Sequence, residues 1–299
     1  MLIDMAAAGA WGALLGALAS YLTRPILGGM PFRRKNYRGK ELGVASGLVL
    51  VVAFLLSGAA GATVVAADLG SRSRLVNVAV GCSSVIVPVV GFAFLGLLDD
   101  LGATGDTRGF RGHLRSVVRG ELSTGALKLF GGAAFALWLA GTSVRSETAW
   151  RLVWLVINGA IIALSANLAN LFDRSPGRAI KVSVLSLAII LVSLGVGVWR
   201  EENAYVPFML GVALVLLRDD LNEVSMLGDT GSNPLGAVSG FAALQFDHSV
   251  RVGVLALLIA LTAASERTSF SRVIERTRPL RWIDHLGTRS ERKVPNSQP

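Results

Sequence analysis

The chain has 299 residues, of which 52% are hydrophobic and 16% charged, with a mean hydropathy of +0.57 and a formal net charge of +9. Soluble domains carry about 25% charged residues, so too little polar surface remains here to coat a water-soluble helical body. The lone Cys82 inside an apolar run excludes a disulfide framework and reads as a small membrane hydrophobe.

Apolar runs close to membrane length recur along the chain, which predicts transmembrane helices. Nine spans are expected, at 5–23, 43–66, 77–98, 123–143, 152–172, 180–198, 205–219, 232–246 and 252–265. The start, Met1-Leu2-Ile3-Asp4, lacks a basic leader, so the first run reads as a retained span. Several runs are broken by Gly or Pro, as is common around a polar cavity. The predicted fold is all-α: a polytopic membrane protein with about nine to ten helices around a cytoplasm-facing cleft. Residues 1–265 form this domain, and 266–299 form a cytoplasmic amphipathic helix with a disordered tail. The helix follows from apolar positions at 270, 273 and 274, then 280, 283 and 286. It lies on the inner surface or roofs the site.

Charge sets the orientation. One set of alternate loops holds Arg24, Arg33, Arg34, Lys35, Arg38 and Lys40, then Arg108, Arg111, Arg115 and Arg119, then Arg174, Arg178, Lys181 and Arg218, and eight basic residues from 266 onward. The opposite set holds Arg72, Arg74, Arg145, Arg151, Arg200 and Arg251. The positive-inside rule places the first set in the cytoplasm and the N-terminus outside. It also accounts for the +9 charge without nucleic acid. Trp150, Trp154, Trp199 and Tyr205 fall near the outer ends as expected interface anchors.

Three acid-bearing stretches then share the cytoplasmic side. Acids near the bilayer centre cost about 2.5–3.5 kcal/mol each on insertion scales, so acids at span ends suggest use. Asp99 and Asp100 end the third span. Neighbouring carboxylates repel and call for a shared proton or cation, and Mg²⁺ suits one or two carboxylates that also bridge phosphates. A solvated helix end is the plainer alternative. Asn167, Asn170 and Asp173 recur every three residues on one helical face. They suit a polar ligand or a metal's water shell, or alternatively an interhelical hydrogen-bond seam. The following Arg174-Ser175-Pro176-Gly177-Arg178 turn offers two guanidiniums to a diphosphate. In Gly228-Asp229-Thr230-Gly231-Ser232-Asn233, Asp229 is placed to ligate a metal, and the amides of a Gly-rich helix start favour anions. A simple helix cap is the alternative.

The arginines of Arg108-Gly109-Phe110-Arg111-Gly112-His113-Leu114-Arg115, with Arg119, read first as lipid-facing and second as a phosphate clamp. Lys128 lies inside an apolar run and needs an anionic partner. His113, His248 and His285 show no zinc-ligand spacing.

In order, Gly96-Leu97-Leu98-Asp99-Asp100, Lys128, Asn167-x-x-Asn170-Leu171-x-Asp173 and Met226-Leu227-Gly228-Asp229-Thr230-Gly231-Ser232 resemble the polyprenyl-phosphate N-acetylhexosamine-1-phosphate transferases, over roughly residues 5–265. The resemblance implies a bacterial inner-membrane enzyme, often a homodimer, that uses Mg²⁺ or Mn²⁺. A polyprenyl phosphate oxygen attacks the β-phosphorus of a UDP-sugar and UMP leaves. By the same resemblance Asp99 is the base, and Asp100 and Asp173 support metal and donor. Asp229, with Asp100, ligates the metal. Lys128 meets phosphate, Asn167 and Asn170 shape the nucleotide pocket, and Arg174, Arg178 and Asn222 complete the substrate-binding set.

The chain departs from that pattern in three places. Pro176 stands where the family has a second acid after Asp173, the His-rich cytoplasmic loop is missing, and the chain ends in the amphipathic tail. These departures leave the donor sugar open. They also motivate one alternative, a catalytically silent relative that binds lipid phosphate or scaffolds envelope machinery. Intramembrane acids motivate another, a transporter, against which the absence of an internal repeat counts.

Overall fold

The computed structural model describes residues 2–36, 38–67, 74–102, 124–143, 150–195 and 201–288. The expected basic loop of Arg108 to Arg119, and Trp199, lie outside the described residues.

Each predicted span coincides with a helix among the described residues: α1 (Leu2–Leu27), α2 (Leu48–Ala66), α3 (Arg74–Gly102), α4 (Thr124–Ser143), α5 (Arg151–Phe172), α6 (Arg178–Gly195), α7 (Tyr205–Leu221), α8 (Asp229–Ala243) and α9 (His248–Arg267). Two short helices follow, α10 (Phe270–Arg276) and α11 (Arg278–His285). α1, α2, α3 from Val76, α5 and α9 are long and apolar enough to cross a membrane. Leu14, Leu55, Val87, Val156, Leu257 and Ile259 are exposed on these helices, as a hydrocarbon-facing surface requires. The chain is a multi-pass helical membrane protein.

Differences from the sequence expectation have local causes. α2 starts at Leu48 because Glu41–Gly43 (β2) pairs antiparallel with Arg33–Lys35 (β1). The tail forms two helices, not one, breaking at Thr277, whose extended φ of −100° and ψ of 105° end α10 and start α11. Tyr205 is 1% exposed, so it is a core residue and not an interface anchor. Trp150, by contrast, is exposed.

α8 is the centre of the molecule. Every residue from Thr230 to Ala243 is buried. Its 15 residues span about 22 Å at 1.5 Å per residue, short of a full hydrocarbon crossing. Small residues let α5 close on it: a Cβ on Gly236 would lie 2.3 Å from the Ser165 carbonyl oxygen, and one on Gly240 would lie 2.9 Å from the Ile162 Cα. Such close backbone approach is how membrane helices gain packing energy without a hydrophobic drive between them.

The start of α8 is gripped from two more sides. A Cβ on Gly96 of α3 would lie 2.2 Å from the Asp229 carbonyl oxygen, and one on Gly47, just before α2, would lie 2.2 Å from the Gly231 nitrogen. Met226 N–H donates to the Gly43 carbonyl at 2.8 Å, tying β2 to the segment before α8. Arg34 of β1 donates to the Asp100 and Leu101 carbonyls at 3.2 and 3.3 Å, capping α3 with a cation where the helix dipole is negative.

Candidate functional site

The site grows from the crossing of α3 and α8. α3 carries Asp99 and Asp100 in its last turn, and α8 begins at Asp229. Both Asp100 oxygens face the first amides of α8. Oδ1 accepts the Asp229 N–H at 3.0 Å, while Oδ2 accepts the Thr230 N–H at 3.0 Å and the Thr230 hydroxyl at 2.6 Å. Gly228 has φ +68°, and a Cβ there would lie 2.6 Å from Asp100 Oδ2. Glycine is required by both the backbone conformation and the carboxylate.

The anion expected at the α8 N-terminus is therefore the protein's own. Gly231 and Ser232 N–H groups donate to the Gly228 carbonyl, so the first four amides of α8 are all engaged. No free amide is left there for a phosphate, which corrects the expectation of anion binding by this helix start. A cap does exist, but it comes from another helix.

Asp229 is held on both oxygens. Oδ1 accepts the Asn170 side-chain amide, and Oδ2 accepts the Lys128 ammonium. Asn170 also donates to Ser232 Oγ at 3.3 Å. Lys128 Nζ lies 3.5 Å from Asp99 Oδ2 as well. One ammonium on α4 thus draws together carboxylates from α3 and α8, supplying the partner a membrane-embedded lysine needs. Each of Asp99, Lys128 and Asp229 keeps about a quarter of its side chain exposed, so the cluster is only partly buried.

Asp173 follows the last residue of α5. Burial pushes its carboxyl well above the ordinary range, and the nearby charges of Asp220, Asp229 and Asp100 push it further, against a pull from Arg174. Asp173 therefore lies near enough to Asp100 and Asp229 to feel their charge. Asn167 is exposed one turn before Asn170, and Arg174 is exposed. Asn222 is also exposed, and its amide donates to the Arg218 carbonyl at 2.7 Å, at the end of α7.

Arg178 differs from expectation. Its guanidinium is 6% exposed and forms a two-pronged pair with Asp284 of α11, at 2.8 and 2.9 Å. A guanidinium so committed is not offered to a diphosphate.

Asp219 and Asp220 were not anticipated. Asp219 accepts from Ser20 Oγ at 2.6 Å and Arg24 at 3.3 Å. These three residues border a cavity of about 230 Å³ that shares no lining residue with the acid cluster. Asp220 accepts the Gly177 N–H at 2.5 Å, holding the turn after Asp173. A signal existed: Asp219-Asp220-Leu221 repeats Asp99-Asp100-Leu101 at another helix end. Thr230, which clamps Asp100, had no such signal.

Asp99 and Asp229 share one cation, Lys128, and Asp100 adds a third carboxylate at the same helix crossing. That donor chemistry fits a hard divalent ion. A second grouping, Glu275, Asp284 and His285, brings donor atoms within 4.8 Å among the described residues. There Asp284 is committed to Arg178, as Asp229 is to Lys128 and Asn170.

Fold and site together define a multi-pass helical membrane protein with a polar acid, lysine and amide centre at the crossing of its helices. No family model matches the chain. Among curated relatives, the phospho-N-acetylmuramoyl-pentapeptide-transferase of Moorella thermoacetica is 27% identical over 227 residues, 71% of this chain and 70% of that protein. The enzyme of the same name from Rhodopseudomonas palustris is 28% identical over 204 residues, 60% of this chain and 56% of that protein. The chain is thus similar, at 27–28% identity, to two phospho-N-acetylmuramoyl-pentapeptide-transferases.

Proposed function

We propose that the chain transfers a sugar-1-phosphate from a UDP-sugar to a polyprenyl phosphate in the bacterial inner membrane, with its site on the cytoplasmic side, to start a cell-envelope glycan. The observation that carries this is the convergence of Asp99, Lys128, Asn170 and Asp229 from four helices on one cluster. Phosphoryl transfer asks chiefly for alignment and charge neutralisation, and these groups supply both.

A lipid phosphate oxygen attacks the β-phosphorus. The bond from that phosphorus to the bridging oxygen breaks, and UMP leaves with the electron pair. Asp99, the acid of the α3 pair not consumed in capping α8, takes or orients the lipid phosphate proton. Lys128 offsets the negative charge that gathers on the phosphoryl oxygens. Asn170 fixes Asp229, and Asp100 fixes the helix that carries it. Asp229, with Asp99 and Asp100, would hold Mg²⁺ or Mn²⁺, which would neutralise donor phosphates. Asn167, Arg174 and Asn222 are exposed and would contact the nucleotide sugar.

The test is purified protein with polyprenyl phosphate, Mg²⁺ and a panel of UDP-sugars, reading UMP. Release with at least one donor, lost in Asp99→Asn, is expected. No UMP from any donor would overturn the enzyme reading in favour of a silent lipid-phosphate binder.

A further inference from the structure

The C-terminal helices α10 and α11 sit on the end of the bundle that carries Asp173, and three kinds of contact hold them there. The first is the buried pair between Arg178, in the first turn of α6, and Asp284 of α11, whose side chains are 6% and 3% exposed. Arg178 Nη1 also donates to Ser271 Oγ of α10 at 2.7 Å, so one guanidinium grips both helices. The second is Lys181, one turn further along α6. Its ammonium donates to the Ile283, Asp284 and Leu286 carbonyls at 3.1, 2.8 and 2.7 Å, a cation on the carbonyl end of α11. The third is Phe270 of α10, stacked on Phe172 with ring centroids 4.8 Å apart and planes within 8°.

These contacts bracket one segment. Phe172 immediately precedes Asp173, and Arg178 follows the turn that Asp173 opens. Inside the bracket, Gly177 takes a left-handed φ of +73° and donates its N–H to Asp220. The turn is thus fixed at both ends by the tail and in the middle by α7. Lone pairs and protons of the buried ion pair are largely satisfied, the condition under which such a pair is tolerated and fixes one arrangement.

We propose that α10 and α11 form a positioning clamp on the Asp173 turn, with Arg178 and Asp284 as its latch, so that the C-terminal segment sets how the donor is held. This deepens the transferase reading and rests on it for its kinetic consequence. Arg178 and Asp284 are positioning residues: they act through Asp173 and do not touch substrate. The charge of the latch is internal, so the turn is held independently of ligand.

The test uses the full chain in lipid nanodiscs. Asp284→Asn keeps the size of the side chain and removes its charge, and Asp284→Glu keeps the charge. Phe270→Ala loosens the clamp without leaving a buried charge unpaired, and it serves if Asp284→Asn does not fold. Two readouts are taken: amide hydrogen exchange over 173–178, and initial-rate kinetics varying UDP-sugar and polyprenyl phosphate separately. Expected is at least a tenfold rise in exchange over the turn and at least a fivefold rise in KM for the UDP-sugar. KM for the lipid should stay within twofold, and Asp284→Glu should recover most of both effects. A merely structural role would lower kcat through loss of folded protein and leave both KM values alone, and that outcome overturns the proposal. Unchanged exchange over the turn overturns it too. If wild type turns over no donor, the transferase reading fails, and the exchange result alone decides whether the clamp exists.

Discussion

Asp100 caps the helix that begins at Asp229, accepting its N–H at 3.0 Å across 129 residues of chain. The neighbouring Asp99 faces the other way, toward Lys128. Two adjacent acids therefore do different work, because successive side chains on a helix diverge by about 100°.

The two should separate on mutation. Asp100→Asn loses the charge that faces the α8 dipole and cannot accept from Thr230 and Asp229 as a carboxylate does. A loss of about 1–3 kcal/mol is expected from charged hydrogen bonds of this kind, seen as a lower unfolding midpoint in detergent. Asp99→Asn should leave the midpoint nearly unchanged while UMP release falls by at least a hundredfold. Equal destabilisation by both would contradict the division of roles.

Glycine replacements should be equally selective. Gly96→Ala places a Cβ 2.2 Å from the Asp229 carbonyl oxygen, and backbone on both sides leaves nowhere to relax. Overpacking of this kind costs about 1–3 kcal/mol, and here it also displaces Asp229, so stability and UMP release should both fall. Gly253→Ala on α9 meets nothing within 4 Å and should unfold like wild type. Thermal unfolding of the pair tests the crossing directly.

Lys128→Met leaves Asp99 and Asp229 without their shared ammonium. Like charges left together gain from any other cation. Added Mg²⁺ should therefore raise the unfolding midpoint of Lys128→Met more than that of wild type, while turnover falls. A smaller Mg²⁺ shift in the variant than in wild type would count against Asp229 and Asp99 as a divalent site. Chelation of divalent ions should stop UMP release by wild type.

Asp173 predicts a pH dependence. Its folded carboxyl is held well above the ordinary range by burial and by Asp220, Asp229 and Asp100, whereas unfolded it titrates near about 3.9. Between those values the folded state binds the extra proton, so stability falls as pH rises through the window. Asp173→Asn removes that fall. The midpoint difference between Asp173→Asn and wild type should be near zero at the acid end and grow in favour of the variant as pH rises. A difference that shrinks with rising pH would refute the raised carboxyl.

Much of the architecture was legible in the chain by itself, because hydrocarbon imposes a length and an apolarity that local composition reports. Each of the nine expected spans overlaps a helix among the described residues, five of them long and apolar enough to cross a membrane, and the acids Asp99, Asp100, Asp173 and Asp229 were evident as charges at the ends of apolar runs. Tertiary structure decided which partner each charge took. Spacing along one helix says nothing of a contact across 101 residues between Lys128 and Asp229, or across 106 between Arg178 and Asp284. It therefore offered Arg178 to a diphosphate and the α8 amides to a ligand, where the fold gives the first to Asp284 and two of the second to Asp100. The physical reason is common to both. In a low-dielectric interior an unpaired charge or amide is too costly to leave open, so the protein fills these positions with its own side chains, and only the three-dimensional packing reveals which ones.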